Sequence, residues 1–166
     1  MPCPKDSSGF SDKTYYESVH DTLQQIDVVH RLVAEYNDAL SFAVTAQEAI
    51  AAHARGKVAS MIGVEGLHQI ANSPAIVRMY YNLGVRYITL THTCNNKYAD
   101  GAFAPGGAAW GGLSRDGVKM VAEMNRIGMM VDLSHVTADV MRDVLKITKA
   151  PVIFSHSSAY ETHCLI

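Results

Sequence analysis

The chain has no run of Lys or Arg, and its 166 residues carry a formal net charge of −2. A phosphate backbone therefore finds no electrostatic footprint here, and nucleic-acid binding is excluded as an expectation. No apolar run approaches the ~20 residues of a membrane span. The opening stretch MPCPKDSSGFSDKTYY lacks an apolar h-region, so no signal peptide is expected in it. There is no Asn-x-Ser/Thr acceptor and no Cys-x-x-Cys pair among three widely spaced cysteines, Cys3, Cys94 and Cys164. That removes a zinc-finger reading and leaves room for one disulfide. No G-x-S-x-G elbow accompanies Ser155, Ser157 and Ser158 around His156, which argues against a serine nucleophile. The compartment stays open.

What is present is an alternation. With 48% hydrophobic and 18% charged residues, the composition is that of a globular domain. Residues 1–13 read as an extended lead-in rich in Pro, Ser and Gly. From Thr14 to Tyr36, apolar residues including Val19, Leu23, Ile26, Leu32 and Val33 recur at helical spacing. Ser41–Val44 is strand-like, and Thr45 with Glu48 forms a capping-box signature for the next helix, which stops at Gly56. Apolar runs at Val58–Val64, Val85–Thr91, Met129–Leu133 and Pro151–Ser155 then alternate with amphipathic helices that start at Pro74, Ser114 and Thr137. Continuous apolar strands between such helices predict a parallel sheet covered by helices. A doubly wound sheet and a (β/α) barrel both fit, and both place chemistry at the carboxyl ends of their strands.

Four successive strands end in a carboxylate or an imidazole: Glu65, then His92, then Asp132 and His135, then His156. Singly, each has an ordinary structural role available. Asp132 is read as an orienting or capping residue and not a ligand. His20, His30 and His53 are assigned to helix surfaces, and His68 and His163 to loops. Jointly, imidazoles and a carboxylate without a thiolate cluster suit Zn²⁺ or a similar divalent ion.

The segments IGVEGLHQI, LGVRYITLTHTCN, GLSRDGVKMVAEMNRIGMMVDLSHV and APVIFSHSSAY together resemble the membrane (renal-type) dipeptidase family of zinc metallopeptidases. The resemblance implies a TIM-type (β/α)₈ barrel and hydrolysis of dipeptides by a metal-bound hydroxide, some of them with a D-residue at the carboxyl end. It implies that Glu65, His135 and His156 are metal ligands, with Glu65 bridging two zinc ions and so also a catalytic residue. It gives His92 a catalytic, substrate-binding role, pairs Cys3 with Cys94 in a disulfide, and allows a homodimer. The family's His-x-Asp zinc ligands and its later substrate-binding arginine have no counterpart here. A closed barrel also takes about 250 residues. Residues 1–166 are accordingly expected to form a single partial barrel domain that lacks the first strand and the C-terminal units, with reduced or no activity alone. The tail HCLI reads as foreign to the barrel pattern. Two alternatives stand beside it: an amidohydrolase-type metal-dependent hydrolase, which calls for a lysine at a strand end, and a non-catalytic pseudoenzyme fragment.

Overall fold

The computed structural model describes Cys3 and residues 10–158. The rest of the lead-in before Phe10, and Tyr160, His163, Cys164 and the tail HCLI, lie outside the described residues. Element order is α1 (Asp12–Glu35), β1 (Leu40–Phe42), α2 (Ala46–Ala54), β2 (Val58–Ser60), β3 (Ile62–Glu65), a 3-10 turn (Leu67–Ile70), α3 (Pro74–Asn82), β4 (Val85–Thr89), α4 (Arg115–Ile127), β5 (Met130–Asp132), α5 (Ala138–Ile147) and β6 (Val152–Ile153).

The sheet that matters for function is four-stranded and parallel, in the order β3-β4-β5-β6. Consecutive parallel strands need a crossover, and α3, α4 and α5 supply the three required. Their buried faces carry Val77 and Tyr80, then Met120, Val121 and Met124, then Val140 and Val144. These share one core with Val64, Ile88 and Val131 of the sheet and with Leu90 and Leu133 just past its strands. Each such buried side chain contributes roughly 1.5–3 kcal/mol relative to exposure. The parallel α/β architecture expected from the alternation is therefore present.

The helix ends follow their sequence signals. Thr45 and Glu48 form a complete capping box on α2. Pro74 opens α3 at a first-turn position, where its missing N–H is harmless. Ser114 accepts from the Gly117 amide, Thr137 from the Val140 amide, and Gly128 closes α4 with φ 81°.

Three expectations need correction. The apolar run Val58–Val64 is two strands, not one. It breaks at Met61, and its first half pairs with β1 while its second half pairs with β4. An unbroken apolar run carries no mark of a change in partner. Leu23 and Leu32 of α1 are exposed, 41% and 48%, whereas Ser18 and Thr22 are buried. The inward stripe tolerates the Thr22 hydroxyl because its one proton has the Ser18 carbonyl (2.6 Å) and the Gln69 side-chain oxygen (2.7 Å) within reach. His30 is not a plain surface residue either. Its Nε2 lies 2.8 Å from the Leu83 carbonyl and its ring packs on Phe42, tying α1 to the turn before β4.

Cys3 and Cys94 form a disulfide across 91 residues of sequence. Closing so long a loop restricts the unfolded chain, a contribution of about 2–4 kcal/mol. Reduction is expected to lower unfolding free energy by that amount in a denaturant titration, and Cys94→Ser to reproduce the loss without reductant. Among the described residues no helix is long and apolar enough to cross a membrane.

Candidate metal centre

Glu65 is the last residue of β3, and the chain turns sharply after it. Gly66 adopts φ 111°, a backbone region that side chains disfavour. A Cβ there would also meet the His68 ring and the His92 Cβ. The Gln69 side chain donates to the Glu65 carbonyl at 2.8 Å and holds the turn. His92, His135 and His156 each sit three positions beyond their strands' last residues, Thr89, Asp132 and Ile153. The parallel register therefore brings them to one rim.

The rim closes into a tight cluster. His135 Nε2 is 2.9 Å from Glu65 Oε1, His156 Nε2 is 3.1 Å from the same oxygen, and the two Nε2 atoms are 2.7 Å apart. Two imidazole lone pairs so close repel unless a cation or a proton lies between them. A tetrahedral ion with bonds of ~2.0–2.1 Å would hold its ligand atoms ~3.3 Å apart, so small outward movements suffice to seat one. The donor set of two nitrogens and one carboxylate oxygen is chemically suited to zinc. His92 is adjacent: its Nε2 lies 3.6 Å from Glu65 Oε2 and its ring meets that of His135 edge-on at 4.8 Å. Its Nδ1 is buried without a hydrogen-bond partner.

Electrostatics agree with the arrangement. Burial pushes the Glu65 carboxyl up, but the hydrogen bond from His135 and the nearby imidazoles outweigh it and leave the group below the usual range. Burial lowers His92, against an opposing pull from Glu65, so this imidazole favours its neutral form.

His135 is held through its backbone. It adopts φ 64°, unusual for a residue with a side chain. Its carbonyl accepts from the Ala102 amide (2.7 Å) and the Thr91 hydroxyl (3.2 Å), which fix the conformation. Ala102 belongs to the long loop between β4 and α4, and that loop is organised from inside. Asp100 is fully buried and accepts from the amides of Ala109, Trp110 and Gly112 at 2.7–3.1 Å. Asn96 donates to the Leu90 carbonyl and accepts from the Tyr98 and Ala99 amides. The sequence reading passed over both; an Asn-Asn pair and an Asp amid glycines and alanines were the available signals.

Asp132 is fully buried. It accepts from Thr89, Ser134 and Ser155, an orienting position and not a ligand one. His68 corrects another expectation: it is no loop residue but lies fully buried in the 3-10 turn, beneath the Cys3–Cys94 bridge. Neither lysine near the strand ends reaches the cluster. Lys57 bonds the Asn37 carbonyl and Lys97 pairs with Asp116. The lysine that an amidohydrolase-type centre calls for is thus not found among the described residues.

A family model described as membrane dipeptidase (peptidase family M19) matches residues 2–164. The chain is similar to dipeptidase verJ of Clonostachys rogersoniana, 55% identical over 160 residues that cover 95% of this chain and 41% of that protein. It is similar to an uncharacterized dipeptidase of Schizosaccharomyces pombe, 58% identical over 144 residues, covering 86% of this chain and 35% of that one. Its fold is similar to a solved metallo peptidase from Rhodobacter sphaeroides liganded with a phosphinate mimic of the dipeptide L-Ala-D-Ala. There the TM-score is 0.70 and the identity 27%, over 81% of this chain and 40% of that one. The chain spans 35–41% of the length of the two curated relatives. A family match over nearly every residue establishes that this chain belongs to the membrane dipeptidase family, peptidase family M19.

Proposed function

We propose that this chain carries one metal-binding part of a zinc-dependent dipeptidase centre. Glu65, His135 and His156 hold the ion, and His92 faces the substrate. The observation that supports this is the triangle of Glu65 Oε1, His135 Nε2 and His156 Nε2, with edges of 2.7–3.1 Å.

Zinc bound there would act as a Lewis acid, activating water and polarising a peptide carbonyl. The chain's own residues supply the rest. Glu65 brings negative charge and stays ionised because three imidazoles surround it. Its second oxygen, Oε2, points toward His92 and is free to face another cation or a substrate amine. His92, neutral and half enclosed, offers one N–H to a carbonyl oxygen whose charge grows during attack. The substrate class follows from the family and from the relatives' names: a dipeptide. A dipeptide ending in a D-residue is the test compound the Rhodobacter sphaeroides ligand suggests. The described sheet, β3 to β6, is on this reading an arc of a TIM-type barrel.

The test is zinc stoichiometry by native mass spectrometry on the purified chain, followed by a chromatographic assay with L-Ala-D-Ala. One tightly held zinc and slow, chelator-sensitive hydrolysis are expected. No zinc, or two tightly held zinc ions, would overturn the ligand assignment. Zinc retention with no hydrolysis would assign the chain to metal binding without turnover.

A further inference from the structure

His135 is fixed through its carbonyl, but His156 is exposed, three positions past the edge strand β6, and needs another restraint. The hydrogen bonds around it provide one. Ser155 Oγ lies 2.6 Å from Asp132 Oδ2 and 2.6 Å from His156 Nδ1. A serine hydroxyl has one proton and can donate only once. Asp132 already accepts from the amides of Ser134 (3.0 Å) and Ser155 (3.1 Å) and from the Thr89 hydroxyl (2.7 Å). Burial raises its carboxyl, yet these donors outweigh burial and keep it ionised. An ionised carboxylate only accepts, so the Ser155 proton goes to Asp132. The second 2.6 Å contact then requires a proton on His156 Nδ1, donated to Ser155 Oγ. In the neutral ring the lone pair is then on Nε2, the atom that faces Glu65 and His135.

We propose that Ser155 is a positioning residue: with Asp132 behind it, it locks His156 in the tautomer whose Nε2 can bind a cation. The inference rests on the zinc reading above for its consequence, but the proton on Nδ1 follows from the Asp132–Ser155–His156 contacts. Asp132 at the end of β5 holds the serine, Ser155 holds the ring, and the Ser134 hydroxyl accepts from the His156 amide at 3.2 Å. The residue is thus constrained at both its backbone amide and its Nδ1. Outer partners of this kind orient an imidazole and raise its basicity, and their loss costs 10–100-fold in metal affinity.

The experiment uses the full chain labelled with ¹⁵N-histidine. In metal-free protein at about pH 8, where an ordinary imidazole is neutral, long-range ¹H–¹⁵N spectra report which nitrogen of His156 carries the proton. Comparison with His156→Asn assigns the signals. Protonated Nδ1 and bare Nε2 are expected in the wild type, and a mixed population in Ser155→Ala. Chelator competition should then show zinc bound about 10–100-fold more weakly by Ser155→Ala, with affinity restored by Ser155→Thr, which returns the hydroxyl. A wild-type His156 with Nε2–H overturns the proposal. So does a Ser155→Ala variant whose tautomer and zinc affinity match the wild type. If the wild type binds no zinc, the metal reading fails, while the wild-type spectrum still decides the tautomer.

Discussion

His135→Ala is expected to strip the chain of its tightly held zinc, taking the native-mass-spectrometry stoichiometry from one to none. His135 Nε2 lies within 2.9 Å of both other candidate ligand atoms, so it sits at the centre of the cluster. Removing it leaves one oxygen and one nitrogen, and a two-ligand site competes poorly with chelators or bulk water. His92→Ala is the control. That imidazole approaches Glu65 no closer than 3.6 Å, and on this reading it serves the substrate and not the ion. His92→Ala should keep zinc while losing hydrolysis. Zinc retention by His135→Ala would mean the ion is held elsewhere, and the proposed centre would fall with it.

Asp132→Ala is expected to be among the most destabilising substitutions in the chain, at roughly 3–5 kcal/mol. The carboxylate receives hydrogen bonds from Thr89 on β4, from Ser134 just past β5 and from Ser155 just past β6. Alanine would leave the buried Thr89 hydroxyl and two amides without acceptors, at about 1–3 kcal/mol for each buried group left unmade. Thermal melts should fall by roughly 10 °C for a chain of this size. Asp132→Asn, which retains one acceptor oxygen, should lose less. A pH signature accompanies this. The Asp132 carboxyl is held below its ordinary value of 3.8, so its contribution is complete above that value and fades as pH falls through the lower, folded-state one. Melts of the wild type and Asp132→Ala should therefore converge in strong acid. An alanine variant as stable as the wild type at neutral pH would refute the account.

How much of this was legible in the sequence differs by level. The parallel α/β alternation was, because buried parallel strands are apolar throughout and the helices carry ordinary caps, among them Thr45 with Glu48, Ser114 and Thr137. The convergence of Glu65, His92, His135 and His156 followed from strand-end position alone, since parallel strands point their carboxyl ends the same way. Strand partners were not legible: nothing in Val58–Val64 says that the chain changes sheets at Met61. The burial of Thr22 was hidden too, because a hydroxyl goes inside only when a partner such as Gln69 is there to meet it, and that partner is 47 residues away. The roles of Asp100 and Ser155 depend on the same kind of distant pairing. Local pattern shows which face is apolar, whereas polar satisfaction is a property of the assembled molecule.

The anchoring of His135 by the Ala102 amide and the Thr91 hydroxyl has a consequence for ion choice. The backbone from which this imidazole springs is clamped from two sides in a handedness it would not otherwise hold. On the proposed reading, a ligand rooted in so fixed a backbone, with nitrogen donors beside a single carboxylate, favours compact cations with short bonds over broad, oxygen-seeking ones such as calcium.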